Sequence, residues 1–367
     1  MRSIYRLLGV AVFASAALSV TSVASAAPIN TMVSFGDSLS DPGNALFLTK
    51  DILGLNTGPA FLNAQGYVLD PNGRFSNGPT AVEYLASSLG LATNRGWATP
   101  APFAPGAATN YAVGGALTGP FLGAGPQHLD GFVNPTPVAE LALTGITSQV
   151  SRFITSAPAF NPATTLFTIQ GGGNDIFAAN TLGLTGLAMF GVVDQATTHL
   201  QNSIATLAAA GARRILWMTL PDLGLTPLSQ AGGLPAMAAG SGLTDLFNFV
   251  LGQKVAGVDA FFAGLGVDLD LIEVDTAGFM RNAFANPTLS MTAPPCVFIP
   301  GPGGLPGCDG LFFHDGVHPT TAAHALFANV LFRAVPEPQS LALVLLALGA
   351  LVAGQRRRRQ PAALQSA

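Results

Sequence analysis

The sequence predicts an α/β fold, a central parallel sheet covered by helices on both faces, and three observations predict it. Short apolar runs recur along the chain, most of them stopping at a turn residue: Thr31–Phe35 before Gly36, Leu166–Gln170 before Gly171, Ile215–Leu220 before Pro221, and Leu269–Val274. Between them stand longer stretches with apolar residues three or four apart, the spacing of one helix face. Charged residues make up only 9% of the chain and hydrophobic residues 49%, which supplies a large core and excludes a disordered chain. Strands alternating with helices of this length imply a parallel sheet.

In order along the chain, Thr31–Phe35 reads as the first buried strand and Leu166–Gln170 as the next. Val192–Ala210 then reads as a helix, with Val193, Ala196, Leu200, Ile204 and Leu207 on one face. Ile215–Leu220 is a third strand, Leu246–Phe262 a second helix and Leu269–Val274 a fourth strand. Thr320–Phe332 is the last helix, with Pro319-Thr320 near its start. Two regions read as loops, Thr93–Ala108 and Leu117–Pro137, rich in Pro, Gly and Ala. They carry Trp97, Phe103, Phe121 and Phe132, which serve either an apolar pocket or ordinary surface packing. In sheets of this type functional groups gather where strands end and helices begin.

Both ends of the chain read as targeting segments. Residues 1–26 have a basic start (Arg2, Arg6), an apolar stretch from Leu7 to Val20 and small residues at Ala24-Ser25-Ala26, the layout of a secretory signal peptide. At the other end Pro336-Glu337-Pro338 precedes an apolar run from Leu341 to Gly354 and the block Arg356–Arg359. The run is short for a bilayer span, though snorkelling arginines extend its reach. The arginines would hold that end in the cytoplasm. Residues 336–360 resemble a bacterial PEP-CTERM sorting tail, which implies brief anchoring in the inner membrane and cutting by a sorting protease of the exosortase kind. Release to the cell surface or matrix would follow. A permanent anchor has the same topology.

The stretch 28–335 suits one sizeable domain. The tails hold six of the 15 basic residues and one of the 19 acidic ones, leaving nine basic against 18 acidic between them. That balance speaks against a nucleic-acid partner, which needs clustered Lys and Arg. The two cysteines, Cys296 and Cys308, lie in a Pro- and Gly-rich loop of an exported chain, so a disulfide is expected.

Four short strings carry chemistry. Phe35-Gly36-Asp37-Ser38-Leu39-Ser40-Asp41 follows a strand, where a serine hydroxyl is presented at the sheet's edge and needs a base to become a nucleophile. Gly, Asp and Ser also build ordinary turns and caps, so this string alone is weak. Asp315-Gly316-Val317-His318-Pro319 places a carboxylate three residues from an imidazole around a glycine turn. The carboxylate can then fix the tautomer and stabilise the imidazolium. Helix capping by Asp315 is the plain alternative. A metal site on His314 and His318 is disfavoured, because Gly316 and Pro319 oppose a helix and further ligands are lacking. Gly171-Gly172-Gly173-Asn174-Asp175 follows another strand and offers Asn174 as an amide donor for an oxyanion; otherwise it is a flexible turn. Asn110-Tyr111-Ala112-Val113-Gly114-Gly115-Ala116 offers a backbone N–H for the same purpose.

Together, and in this order, these strings resemble the GDSL or SGNH hydrolase family. Asp41-Pro42-Gly43-Asn44, Gly73-Arg74-Phe75-Ser76-Asn77-Gly78-Pro79 and Leu220-Pro221-Asp222-Leu223-Gly224 resemble its lecithinase, haemolysin and lipase branch. The resemblance spans about 31–332. It implies a flavodoxin-like three-layer α/β/α SGNH hydrolase fold, a serine esterase or lipase, and no metal or organic cofactor. It implies Ser38 as nucleophile, His318 as general base and then acid, and Asp315 as its orienting partner. The oxyanion would be held by Ser38 N–H, Gly115 N–H (with Gly114 as rival) and Asn174. The glycine triplet before Asn174 is richer in glycine than that turn requires. Two other readings stand beside an acyl-ester hydrolase: a carbohydrate acetyl esterase acting on exopolysaccharide, and a catalytically silent surface or matrix protein. A channel lined by large apolar residues favours the first reading, and a shallow polar cleft the second.

Overall fold

The computed structural model describes residues 27–48, 68–97, 104–119, 144–156, 159–299 and 307–335. The expected leader (1–26) and tail (336–360) lie outside the described residues, as do Phe103, Phe121 and Phe132. Ile29–Val335 forms one compact unit.

Six strands form one parallel sheet: β1 (Thr31–Phe35), β2 (Ala92–Arg95), β3 (Ala107–Asn110), β4 (Thr165–Ile169), β5 (Arg214–Met218) and β6 (Asp270–Val274), in the order β2-β3-β1-β4-β5-β6. The four expected strands are present within a residue or two. The region Thr93–Ala108 is corrected, because β2 and the start of β3 fall inside it. Their sequences, ATNR and AATN, set one Thr each among Ala, Asn and Arg, so their own strand propensity is weak. They are held by pairing, Ala92 to Arg95 opposite Ala107 to Asn110, and β3 in turn against β1.

The helices are α1 (Asn44–Phe47), α2 (Ala81–Ser88), α3 (Ile146–Thr155), α4 (Gly173–Thr181), α5 (Gly186–Ala209), α6 (Pro227–Ala231), α7 (Gly233–Gly264), α8 (Thr276–Ala285) and α9 (Thr321–Ala334). The expected helices correspond to α5, α7 and α9. The first two extend further toward their N-termini, α7 by 13 residues, through glycine-rich turns in which Met189 and Leu243 pack against the core.

Alternation along the strands divides the core in two, since successive side chains point to opposite faces. Val33, Phe35, Phe167, Ile169, Ile215 and Trp217 join one cluster with residues of α3, α5 and α7. Met32, Leu166, Leu216 and Met218 join another with residues of α2 and α9. The result is three layers. Both clusters are drawn from within Ile29–Val335, so that stretch builds its own core. Strand order reverses at β1, which has β3 on one side and β4 on the other. The carboxyl ends of β1 and β4 therefore flank a topological switch point, where open α/β sheets form clefts.

Candidate active site

Ser38 follows β1 by three residues and Asn174 follows β4 by five, so both stand at that switch point. His318 and Asp315 arrive from the loop before α9. His318 Nε2 lies 2.7 Å from Ser38 Oγ. His318 Nδ1 lies 2.8 and 2.9 Å from the two oxygens of Asp315. An ionised Asp315 accepts only, so Nδ1 carries the proton and Nε2 is left to accept from the serine hydroxyl. Asp315 Oδ1 also accepts the backbone N–H groups of Val317 and His318, which closes the turn that sets their spacing. Burial pushes the Asp315 carboxyl up, but the adjacent His318 and these N–H donors outweigh it and hold the group at about 2.

The nucleophile turn is clamped from several sides. The Gln149 side chain on α3 accepts from Gly36 N–H and donates to the Gly36 carbonyl, 2.9 and 2.8 Å. Asp37 closes the turn by accepting from Leu39 N–H. Asp41 is fully buried and accepts the backbone N–H groups of Gly43, Asn44, Ala45 and Gly114. Burial pushes Asp41 up to about 6, with the four N–H donors pulling the other way. Asn44 donates to the carbonyls of Asn110 and Ala112, and Asn110 donates to the Ser40 carbonyl. The string Asp41-Pro42-Gly43-Asn44 thus fastens the serine turn to the turn after β3.

The other branch-like strings have similar duties. Ser76 Oγ donates to the Pro319 carbonyl, Asn77 accepts from Thr321 N–H, and the Phe75 ring sits 5.3 Å from the His318 ring. Asp222 accepts from Gly224 N–H, Ser241 Oγ and Arg281 Nε.

The oxyanion candidates divide by what they already bond. Gly114 N–H is taken by Asp41 Oδ2 at 2.7 Å, and a Cβ at Gly114 would collide with the Phe75 ring. Gly115, with φ +81°, keeps an N–H without a partner among the described residues, as does Ser38. Neither glycine is on the lining of the cavity below, so Gly115 rests on this elimination alone. Asn174 sits in the first turn of α4 and donates one amide hydrogen to the Ala116 carbonyl at 2.9 Å, leaving the second. Asp175 beside it is buried and accepts from Thr118 N–H and Oγ1; burial pushes its carboxyl up to about 6.

The glycine triplet has distinct causes. Gly172 adopts φ +112°, and a Cβ there would strike the Phe247 ring; one on Gly171 would strike Ile146. Gly173 meets nothing closer than 3.8 Å and lines the cavity.

Ser38, Asn174 and His318 open on a cavity of about 910 Å³. Away from them its wall is largely apolar, including Phe177, Leu220, Leu243, Phe298 and Phe313. Trp97, in the region expected as loop, does not line it; it is buried and donates to the Tyr111 carbonyl.

His314 is turned to other partners than His318. Its Nε2 lies 2.6 Å from the Val68 carbonyl and its Nδ1 3.3 Å from Cys296 Sγ. Cys296 and Cys308 are bonded to each other, Cα atoms 4.7 Å apart. With Cys296 and Cys308, His314 makes a cluster of metal-ligating atoms, but both sulfurs are spent in that bond.

Ser38, His318 and Asp315 thus stand in hydrogen-bonded series at the carboxyl end of a parallel sheet covered by helices on both faces. The chain belongs to the GDSL-like lipase/acylhydrolase family, whose model matches residues 32–331. Residues 334–359 match the PEP-CTERM protein-sorting motif, which implies sorting toward the cell envelope. Esterase EstA of Pseudomonas aeruginosa is 29% identical over 355 residues, covering 90% of this chain and 50% of that one. Thermolabile hemolysin of Vibrio parahaemolyticus is 25% identical over 327 residues, 82% of this chain and 62% of the other. The inactive GDSL esterase/lipase-like protein 23 of Arabidopsis thaliana is 28% identical over 207 residues, 55% and 48%. The chain spans about half the length of EstA. Among solved structures, an acetyl xylan esterase from Geobacillus stearothermophilus aligns with a TM-score of 0.40 at 14% identity, 84% and 95% covered.

Proposed function

We propose that this protein is an exported serine esterase or lipase that hydrolyses carboxylic esters of apolar acyl chains. The observation that carries the reading is the series Ser38, His318, Asp315 at one end of a largely apolar cavity. Ser38 Oγ attacks the ester carbonyl as its proton passes to His318 Nε2. Asp315 stabilises the imidazolium through Nδ1–H. The oxyanion is held by Ser38 N–H, Gly115 N–H and the second amide hydrogen of Asn174. His318 then protonates the leaving alcohol, and water, deprotonated by His318, hydrolyses the acyl-enzyme.

The cavity speaks for an acyl chain rather than acetyl on a sugar. Acetyl fills little of 910 Å³, and polyol recognition needs polar walls that Phe177, Leu220, Leu243 and Phe298 do not offer. The signal sequence (1–26) delivers the chain across the inner membrane. The tail holds it there until a sorting protease of the exosortase kind releases the domain 28–335 to the surface or matrix.

The test is hydrolysis of p-nitrophenyl esters from acetyl to palmitoyl by the 28–335 fragment and its Ser38→Ala variant. Serine-dependent turnover that peaks beyond butyryl is expected. A peak at acetyl would favour the sugar esterase, and no turnover by folded protein on any ester would favour the silent surface protein.

A further inference from the structure

Large apolar side chains that water should penalise are exposed on the stretches that supply part of the cavity lining. Leu187 is 90% exposed, Leu234 80% and Phe298 73%, with Leu182 and Leu228 more than half exposed. All but Phe298 lie on two stretches, Ile176–Val193 and Leu223–Thr244, that contain no charged residue at all. Such a patch on a protein with sparse charge marks a contact surface.

Its position ties it to the site. Leu228 and Phe298 line the cavity themselves; Leu182 directly follows Thr181, and Leu234 lies two residues before Ala236, both on the lining. The patch is also fastened to the catalytic loop. Leu228 N–H donates to the Gly316 carbonyl, and Val297 N–H donates to the His314 carbonyl. Helix α7 makes the same point: by length and composition it is apolar enough to cross a membrane, yet every one of its buried residues lies at or beyond Thr244. Its first turns, Gly233–Leu243, are largely apolar, and of their residues Ala236, Ala239, Gly240 and Leu243 line the cavity while only Leu243 packs against the core.

We propose that this patch docks on the surface of an aggregated, uncharged lipid ester, so that the acyl chain passes from lipid to cavity without crossing water. The proposal rests on the ester-hydrolase reading above. The absence of charge from Ile176–Val193 and Leu223–Thr244, and the 18 acidic against nine basic residues of 28–335, fit a neutral surface and oppose an anionic one.

The experiment compares the 28–335 fragment with its Leu182→Glu/Leu187→Glu/Leu234→Glu variant, none of whose altered positions lines the cavity. Tributyrin is assayed across its solubility limit, and p-nitrophenyl butyrate as a dissolved ester. The wild-type rate is expected to step up once tributyrin droplets form. The variant should lose the step and fall at least tenfold on the emulsion, with kcat/KM for the dissolved ester within twofold. Equal rates on the emulsion, or equal losses on both substrates at an unchanged Tm, would overturn the proposal. If Tm drops, the milder Leu187→Ser/Leu234→Ser variant replaces it under the same criteria. Cosedimentation with phosphatidylcholine and phosphatidylglycerol vesicles separates this idea from the hydrolase reading. An inactive fragment that binds phosphatidylcholine, at least tenfold more than the variant does, keeps the docking surface and loses the esterase. No binding by the wild type, or tighter binding to phosphatidylglycerol, removes the docking surface.

Discussion

The two sides of the cavity are held by different forces. On the Ser38 side almost every position is fixed by a directed bond: Gln149 on Gly36, Asp41 on four backbone N–H groups, Asp315 on His318. On the far side the side chains of Phe177, Leu220 and Leu243 are positioned by packing, with Asn248 also bonding the Leu220 backbone, and the stretches Ile176–Val193 and Leu223–Thr244 hold no charge. The difference teaches where tolerance lies. Directed bonds fail one at a time at high cost, because a lost partner leaves a buried polar group unsatisfied. Apolar walls change shape by degrees and alter which chain fits rather than whether chemistry occurs.

Substitutions should sharpen that contrast. Asp315→Asn keeps the size of the side chain but presents an amide to His318 Nδ1, favouring the wrong tautomer. Turnover should fall by about four orders of magnitude with the fold kept, as read by circular dichroism. A loss under tenfold would remove Asp315 from the mechanism. Asn174→Ala removes a single donor, worth roughly 2.7–4 kcal/mol in comparable sites, so kcat should drop by about two to three orders of magnitude. Unchanged kcat would show that the amide only ties α4 to Ala116. On the apolar side Leu243→Trp should shift the preferred ester to a shorter chain, with less than about tenfold change on butyryl. An unaltered chain-length profile would place the acyl group elsewhere.

The same contrast governs what could be read from sequence. The residues that stand in hydrogen-bonded series were legible because each lies in a short string of its own: Ser38 in its strand-end turn, and Asp315 three residues before His318. The central strands were legible because burial on both faces makes them largely apolar. β2 and β3 were not, because their stability comes from neighbours rather than from ATNR and AATN. Gln149 was missed because nothing near it in sequence marks a residue that will reach Gly36, 113 positions away. Asp41 was visible inside a familiar string, but its four N–H partners come partly from Gly114 on another turn. That Asp41 already takes the Gly114 N–H is likewise a bond across 73 positions that the sequence does not mark. The cavity wall drew on α4, the 220s turn, α7 and the loop near Cys296, and no single stretch announces such an assembly.

The most direct measurement is covalent trapping: the 28–335 fragment is treated with diisopropyl fluorophosphate and the adduct located by peptide mass spectrometry. The account predicts one adduct, on Ser38, whose rate of formation falls by at least a thousandfold in His318→Ala. No adduct, or an adduct on any other serine that forms at the same rate without His318, would contradict it.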